Sequence, residues 1–239
     1  MVLLCNQKFL KFIFIIVFFA SLLGSVTGYM NRAIPVSNKV DKVSGKVIVI
    51  DPGHGGVDIG ASYNDLVEKE INLDIARRLR SLLSSKGAKV IMTRYHDTAL
   101  DHKNKAYKSR HMRDLKARVD IINNNRADLF ISIHVNSFAG KFRIRGPIVF
   151  YQNSKKRNQS LAKKIQYRLN QISYKGIHLP DNSVRIGNYY ILKNSRVAGI
   201  LIEVGFINKK VDNWLLTEDK FKDKLVYGIY QGVLDYYQY

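Results

Sequence analysis

The sequence is poor in cysteine and in acidic residues. Cys5 is the single cysteine among 239 residues. A disulfide framework is therefore excluded, and cysteine pairing gives no information about the compartment in which the chain acts. Asp and Glu together number 19 against 39 Lys and Arg, so the formal net charge is +20. Such an excess favours polyanionic partners: nucleic acid, an anionic membrane, or the carboxylate- and phosphate-bearing polymers of a cell wall.

Charge is missing altogether from Phe12 to Met30, a run of 19 residues that follows Lys8 and Lys11. A basic start followed by an apolar run is typical of a signal peptide, and cleavage after Gly28 fits the small residues there. As a helix the same run would span ~28 Å, close to the thickness of a bilayer core, so an uncleaved membrane anchor fits equally well. We predict that residues 1–30 are a signal peptide or anchor.

Export follows from either interpretation of this segment. The two lysines stay in the cytoplasm by the positive-inside rule, which places everything after Met30 outside it. Nucleic acid is then excluded as the partner of the basic surface, and the polymers of the cell wall remain. The partners that we predict are an anionic polymer of the cell wall and, through the amino-terminal segment, the membrane.

Internal repeats and low-complexity segments are also absent. Residues 31–45 have no apolar period and are predicted to be a linker, and residues 46–239 are predicted to form one catalytic domain. Strand and helix patterns alternate along that domain. We predict an α/β fold with a mostly parallel, roughly six-stranded twisted sheet flanked by helices. The predicted strands are Val47–Ile50, Val90–Met92, Leu129–Ile133, Ile148–Tyr151, Tyr189–Leu192 and Ile200–Ile202.

Three predicted strands end in residues that can bind a metal or move a proton. His54 follows the first strand within a glycine loop, His134 ends the third, and Glu203 ends the last. Ligands of open α/β sheets bind at the carboxyl ends of the strands, so these three side chains predict one metal-centred site. No Gly-Lys-Ser/Thr follows the glycines of the first loop, which argues against a nucleotide site.

A catalytic zinc usually has three protein ligands and one open position for water. His54 and His134 provide two of them, while the spacing leaves four candidates for a carboxylate ligand: Asp58, Asp65, Glu68 and Glu70. A carboxylate that is not a ligand is needed to accept the proton of the water, and Glu203 has that placement.

Several other residues have a structural and a functional interpretation. Asp51 can either hold the ring of His54 or cap the turn. The basic stretch Asp97–Arg118 is predicted to be a solvated loop that runs into an amphipathic helix, with a role at the rim of a substrate groove as the alternative. Four histidines lie in polar loops and are predicted to be surface residues: His96, His102, His111 and His178.

Four sequence blocks together resemble the zinc-dependent N-acetylmuramoyl-L-alanine amidases of the amidase-3 type. They lie in the family's order and span the chain from about Lys46 to its end: Val49–Gly56, Glu68–Leu73, Ser132–Ser137 and Ile202–Asn208. The resemblance implies that His54, Glu68 and His134 bind Zn²⁺ and that Glu203 is the catalytic base. Asp51, Asn136 and Arg185 are candidates for supporting the ligands or contacting the substrate.

The reaction implied by this resemblance is hydrolysis of the amide between the lactyl group of N-acetylmuramic acid and L-alanine. A narrower resemblance, to the germination-specific amidases of spore-forming bacteria, implies a role in forming muramic-δ-lactam in the spore cortex. Vegetative wall turnover is the alternative role. A non-catalytic wall-binding domain or a zinc peptidase is the alternative class. The short segment Val135–Gly146 leaves no room for the blocking helix of division-associated relatives, which implies control by a regulatory protein, by expression or by substrate supply.

Overall fold

The computed structural model describes residues 7–30, 41–140 and 144–238. It separates into two units, of which the first ends at Val40 and the second begins at Asp41. The first unit contains helix α1, Gln7–Met30, whose large apolar side chains between Phe12 and Leu22 are exposed. Within the described ranges no helix combines the length and the apolar character needed to cross a membrane. Residues 31–40 of the predicted linker lie outside the described residues.

The second unit is an α/β domain. Its six-stranded sheet consists of β1 Val47–Pro52, β4 Lys89–Met92, β5 Leu129–Asn136, β6 Ile148–Tyr151, β9 Arg185–Ile186 and β10 Ala198–Phe206. Two small hairpins pair β2 Ser62–Tyr63 with β3 Leu66–Val67, and β7 Ser173–Tyr174 with β8 Ile177–His178. The helices are α2 Glu68–Ser85, α3 Arg110–Asn124, α4 Lys156–Asn170, α5 Tyr190–Asn194, α6 Lys210–Thr217 and α7 Asp219–Tyr236, and Asp101–Lys103 forms a 3₁₀ turn.

The sheet has the strand order β4-β1-β5-β10-β6-β9. The four strands β4, β1, β5 and β10 run parallel to one another, and β6 is antiparallel to β10. Parallel strands expose their carboxyl ends at one edge of the sheet. The ends of β1, β5 and β10 therefore lie side by side, with β5 in the middle.

Alternate side chains of the central strands pack on opposite faces of the sheet. On one face Ile48, Ile131 and Ile202 belong to the main core, which they share with α2, α4 and α7. On the other face Val49, Phe130 and Leu201 form a smaller core with apolar residues of α3 and α5. Successive side chains of a strand point to opposite faces of the sheet, so each of these strands contributes one row of residues to each core.

The predicted fold class is confirmed, but one predicted strand is wrong. Tyr189–Leu192 has the aromatic and branched residues of a strand, yet α5 begins at Tyr190, and the sixth strand is β9. Ile191 and Leu192 are buried in the smaller core beside Val119 of α3. Burial of two adjacent side chains on one face suits a helical turn, so tertiary packing overrides the β-propensity of these residues. Helix α6 and the two hairpins were not predicted.

A substitution at Gly199 on β10 tests the packing between the sheet and its smaller core. A Cβ atom at this position would lie 2.0 Å from the Phe130 ring, which is itself fully buried. We expect Gly199→Ala to lower the free energy of unfolding by about 2 kcal/mol or more, because the core must shift to admit the methyl group. Gly205→Ala on the same strand is the matched control, since its Cβ would meet no atom closer than 3.5 Å. Urea unfolding of both variants measures the difference, and equal stabilities would contradict the packing described.

Candidate metal centre

The side chains that face α3 change from apolar to polar towards the carboxyl ends of the three central strands. On β1 the row continues from Val49 to Asp51, and on β10 it continues from Leu201 to Glu203. On β5, Phe130 is followed by two polar residues of the same row, Ser132 and His134. The register places His134 beside Glu203 and Ser132 beside Asp51. One face of the sheet therefore carries a dry core at one end and a polar site at the other.

His54 reaches this site from the loop that follows β1. Its backbone has a φ of 60°, in the left-handed region that non-glycine residues rarely adopt, and Gly55 and Gly56 also have positive φ values. Gly53 lies against the imidazole of His134, where a Cβ atom would come within 2.2 Å of the ring. The loop therefore needs glycine for close approach, and it needs other contacts to hold His54 in an unfavourable conformation.

Two buried arginines provide those contacts. Arg94 donates to the carbonyl oxygens of Pro52, Gly53 and Lys69 at 2.8–3.0 Å. Arg118 donates to the carbonyls of Pro52 at 2.7 Å and His54 at 2.6 Å. Both residues are 2% exposed. Burial and the neighbouring charge of Arg118 lower the pKa of Arg94 to about 10, so both guanidinium groups are charged at neutral pH.

Asp51 pairs with Arg118 and makes no hydrogen bond to the ring of His54. Its Oδ1 accepts hydrogen bonds from Arg118 at 2.8 Å and Thr93 at 2.6 Å, and its Oδ2 accepts one from Ser132 at 2.7 Å. Burial alone would raise the pKa of Asp51, but the Arg118 charge and these hydrogen bonds hold it below its usual range. Of the two predicted alternatives for Asp51, a hydrogen bond to the His54 ring is not present, and Arg118 connects Asp51 to the His54 backbone instead.

Glu68 lies between the two histidines. Its Oε1 is 3.1 Å from His54 Nε2 and 3.0 Å from His134 Nδ1. Backbone amides from two segments also bind this carboxylate: Ala61 donates to Oε2 at 2.8 Å and Val135 to Oε1 at 3.1 Å. Although burial opposes its charge, the two histidines hold the pKa of Glu68 far below its usual range. The residue is therefore a fixed anion in the first turn of α2.

One ligand atom from each of His54, Glu68 and His134 lies within 4.8 Å of the other two. Two imidazole nitrogens and one carboxylate oxygen are a common ligand set of catalytic zinc. Asp58, another of the predicted carboxylate candidates, lies on the far side of the His54 ring, with its Oδ2 3.0 Å from Nδ1. Burial disfavours the charged imidazole, but Glu68 and Asp58 outweigh it and raise the pKa of His54 to about 9. Asp65 and Glu70 are exposed and take no part in the cluster.

Glu203 faces the cluster from β10 and is 7% exposed. Its Oε2 is buried without a hydrogen-bond partner among the described residues. Burial raises the pKa of Glu203 to about 7; the charge of Glu68 adds to the increase, and His134 opposes it. A buried carboxylate that is left unpaired costs several kcal/mol, and perturbed groups of this kind concentrate at functional sites.

A cavity of about 510 Å³ opens above these residues. Asn136 lines it and stays a candidate for substrate contact, whereas Arg185 is an exposed residue of β9 outside its lining. The four histidines predicted to be surface residues are all exposed, although His111 also lines the cavity. The basic stretch Asp97–Arg118 does run into a helix, but its last residue, Arg118, is buried rather than solvated.

Comparison with known proteins agrees with this arrangement. The model of the amidase-3 family, N-acetylmuramoyl-L-alanine amidase, matches residues 48–235. The chain belongs to this amidase family. It is 39% identical over 196 residues to the germination-specific N-acetylmuramoyl-L-alanine amidase of Bacillus subtilis, an alignment that covers 82% of this chain and 81% of that protein. The resemblance predicted from the four sequence blocks is thereby confirmed.

Two other relatives of the amidase domain differ in how much of each protein is shared. The amidase LytC of Bacillus subtilis is 33% identical over 206 residues, which cover 85% of this chain but 38% of LytC. The CwlD amidase of Clostridioides difficile, whose structure was solved in complex with the GerS lipoprotein, is 35% identical with a TM-score of 0.72. That comparison covers 80% of this chain and 98% of the CwlD chain.

Arg118 tests whether the amidase site depends on its buried guanidinium groups. We expect Arg118→Met to lower the free energy of unfolding by about 3–5 kcal/mol, because Asp51 would remain buried as an unpaired charge. Lys116→Met is the matched control on the same helix. It removes a partly exposed pair with Asp120 and is expected to cost less than about 1 kcal/mol. Urea unfolding monitored by circular dichroism measures both variants. A small loss of stability for Arg118→Met would contradict the structural role given to Arg118.

Proposed function

We propose that this chain is a zinc-dependent enzyme that hydrolyses the amide between the lactyl group of N-acetylmuramic acid and L-alanine in peptidoglycan. The observation that carries the proposal is the pairing of two functions in one cavity. A cluster of two imidazoles and a carboxylate suits a metal ion, and an unpaired carboxylate, Glu203, faces that cluster. Hydrolysis of an amide assisted by a metal needs both parts.

The residues present fit zinc. His54 Nε2, Glu68 Oε1 and His134 Nδ1 converge, and the backbone amides on Glu68 keep its carboxylate in place. Asp58 beside His54 Nδ1 matches the common pattern in which a carboxylate orients a ligand histidine through its second nitrogen. When bound, zinc would supply a Lewis acid that polarises the scissile carbonyl and lowers the pKa of a water molecule.

Glu203 moves the protons of the proposed reaction. Its carboxylate accepts a proton from the attacking water while the new carbon–oxygen bond forms. The same group then returns that proton to the alanine nitrogen as the carbon–nitrogen bond breaks, so the carboxylate is regenerated. A pKa of about 7 suits a group that must act both as base and as acid near neutral pH. Asn136, at the end of β5 in the cavity wall, is placed to hydrogen-bond the glycan or the peptide.

The proposed setting is the outside of the cell. Residues 1–30 would serve as a signal peptide or membrane anchor, residues 31–45 as a linker and residues 46–239 as the catalytic domain. The net charge of +20 suits an anionic wall polymer. We place the activity in the spore cortex, since the first relative described above is a germination-specific amidase, and we propose a regulatory partner because the CwlD amidase was solved with a lipoprotein.

The ligand assignment is tested by two neighbouring glutamates. We expect Glu68→Gln in the full chain to lose at least 10-fold in zinc affinity, because a neutral amide replaces the anionic ligand. Glu70→Gln is the matched control two residues away on α2, where the exposed side chain takes no part in the cluster, and its affinity should not change. Competition of each variant with a chromogenic chelator gives the affinities. Equal affinities would reject Glu68 as a ligand.

The base assignment is tested by Glu203→Gln. This variant should bind zinc like the unmodified chain but lose roughly 100-fold or more in kcat, the usual contribution of general acid–base catalysis. The assay digests purified peptidoglycan and identifies the new amino termini. New L-alanine amino termini with intact glycan support the amidase, and release of D-alanine would reject it. Full activity of Glu203→Gln would reject Glu203 as the base.

A further inference from the structure

Tyr189 shares the cavity wall with the proposed metal ligands and with Glu203. It directly precedes α5, where its carbonyl accepts a hydrogen bond from the Lys193 amide at 3.0 Å. Its backbone is therefore fixed by the first turn of this short helix. The sequence pattern assigned it to a strand and gave it no function.

The ring of Tyr189 is held in a tight slot. Gly187 forms one side, where a Cβ atom would lie 2.6 Å from Tyr189 Cδ2 and 2.7 Å from Cε2. Phe150 forms another side, and the two ring centroids lie 5.4 Å apart at an angle of 82°. Edge-to-face contacts of this kind stabilise a defined ring orientation. Only a residue without a side chain at position 187 admits the ring in this place.

Phe150, one side of the slot, lies on β6, which pairs with β10, the strand that carries the proposed base Glu203. Phe150 on β6 pairs with Leu201 on β10, two residues before Glu203. The Tyr189 ring, packed on Phe150, therefore lies on the face of this strand pair from which Leu201 and Glu203 project into the cavity. Burial is the first cause that raises the pKa of Tyr189 to about 12, and the nearby charge of Glu203 adds to the increase. The phenol consequently keeps its proton at neutral pH and can act as a donor.

The buried carboxylate of Glu203 would be stabilised by a hydrogen-bond donor of this kind. Its carboxylate is almost fully buried, and Oε2 has no hydrogen-bond partner among the described residues. A neutral phenol in a rigid slot can orient one oxygen of the carboxylate and leave the other free for the proton of the water.

We propose that Tyr189 is a positioning residue that donates a hydrogen bond to Glu203 and fixes the orientation of this carboxylate for proton transfer. The inference rests on the proposed role of Glu203 as the base. Tyr189 acts through Glu203 and not through the substrate or the metal. Its loss should therefore slow the chemical step without weakening the binding of either.

The experiment is a double-mutant cycle on the full chain with peptidoglycan as substrate. Tyr189→Phe removes only the hydroxyl group and should lower kcat by about 10- to 100-fold, the range for a hydrogen bond to a charged group. KM should change less than about twofold, and zinc affinity should not change. In the Glu203→Gln background the same substitution should have no further effect on kcat, because the group through which it acts is gone.

Tyr151→Phe is the matched control, since it removes another phenolic hydroxyl from β6 that accepts a hydrogen bond from Gln159 and lies outside the cavity lining. Its kcat should stay within about twofold of the unmodified chain. Full activity of Tyr189→Phe, a rise in KM alone, or an equal loss in both backgrounds would overturn the inference. Full activity of Glu203→Gln would instead overturn the base assignment, so the two failures are distinguishable.

Discussion

The site depends on two buried guanidinium groups that bind backbone carbonyls. The loop after β1 turns through a left-handed residue, His54, and the carbonyls of Pro52, Gly53 and His54 accept hydrogen bonds from side chains. Arg94 provides them from the loop after β4, and Arg118 from α3. Asp51 offsets part of their charge from the strand itself. These contacts hold the His54 backbone in one conformation, in which the imidazole faces Glu68 with its Nε2 3.1 Å from Oε1.

The second constraint is the pleat of the sheet. The row of side chains that packs on α3 is apolar at one end and polar at the other, and this change occurs at about the same level on β1, β5 and β10. The smaller core excludes water from the base of the site, and the polar end meets the cavity. The smaller core and the polar site thus lie on the same face of the sheet, since the core residues Phe130 and Leu201 lie two positions before Ser132 and Glu203.

Much of this arrangement could be predicted because it follows from periodic patterns. Apolar runs identified five of the six strands, and the rule for strand ends brought His54, His134 and Glu203 together. The roles of Arg94 and Arg118 could not be predicted, because the sequence does not distinguish a buried arginine from a solvated one. Arg118 in addition ends the basic stretch Asp97–Arg118. Tyr189 was assigned to a strand that does not form, since burial of Ile191 and Leu192 against α3 outweighed their β-propensity. Spacing alone also left Glu68 and Glu70 equivalent, because both open the same helix.

The hydrogen bonds on Glu68 have a consequence for how the protein matures. Amides of Ala61 and Val135 hold this carboxylate from two different segments of the chain, so the loop before α2 is joined to β5 by protein groups alone. In small zinc domains the ion itself drives folding, whereas here the framework of the site is complete in the polypeptide. Under the proposed function, such a chain can fold before the metal binds and take up the ion as a finished apoprotein.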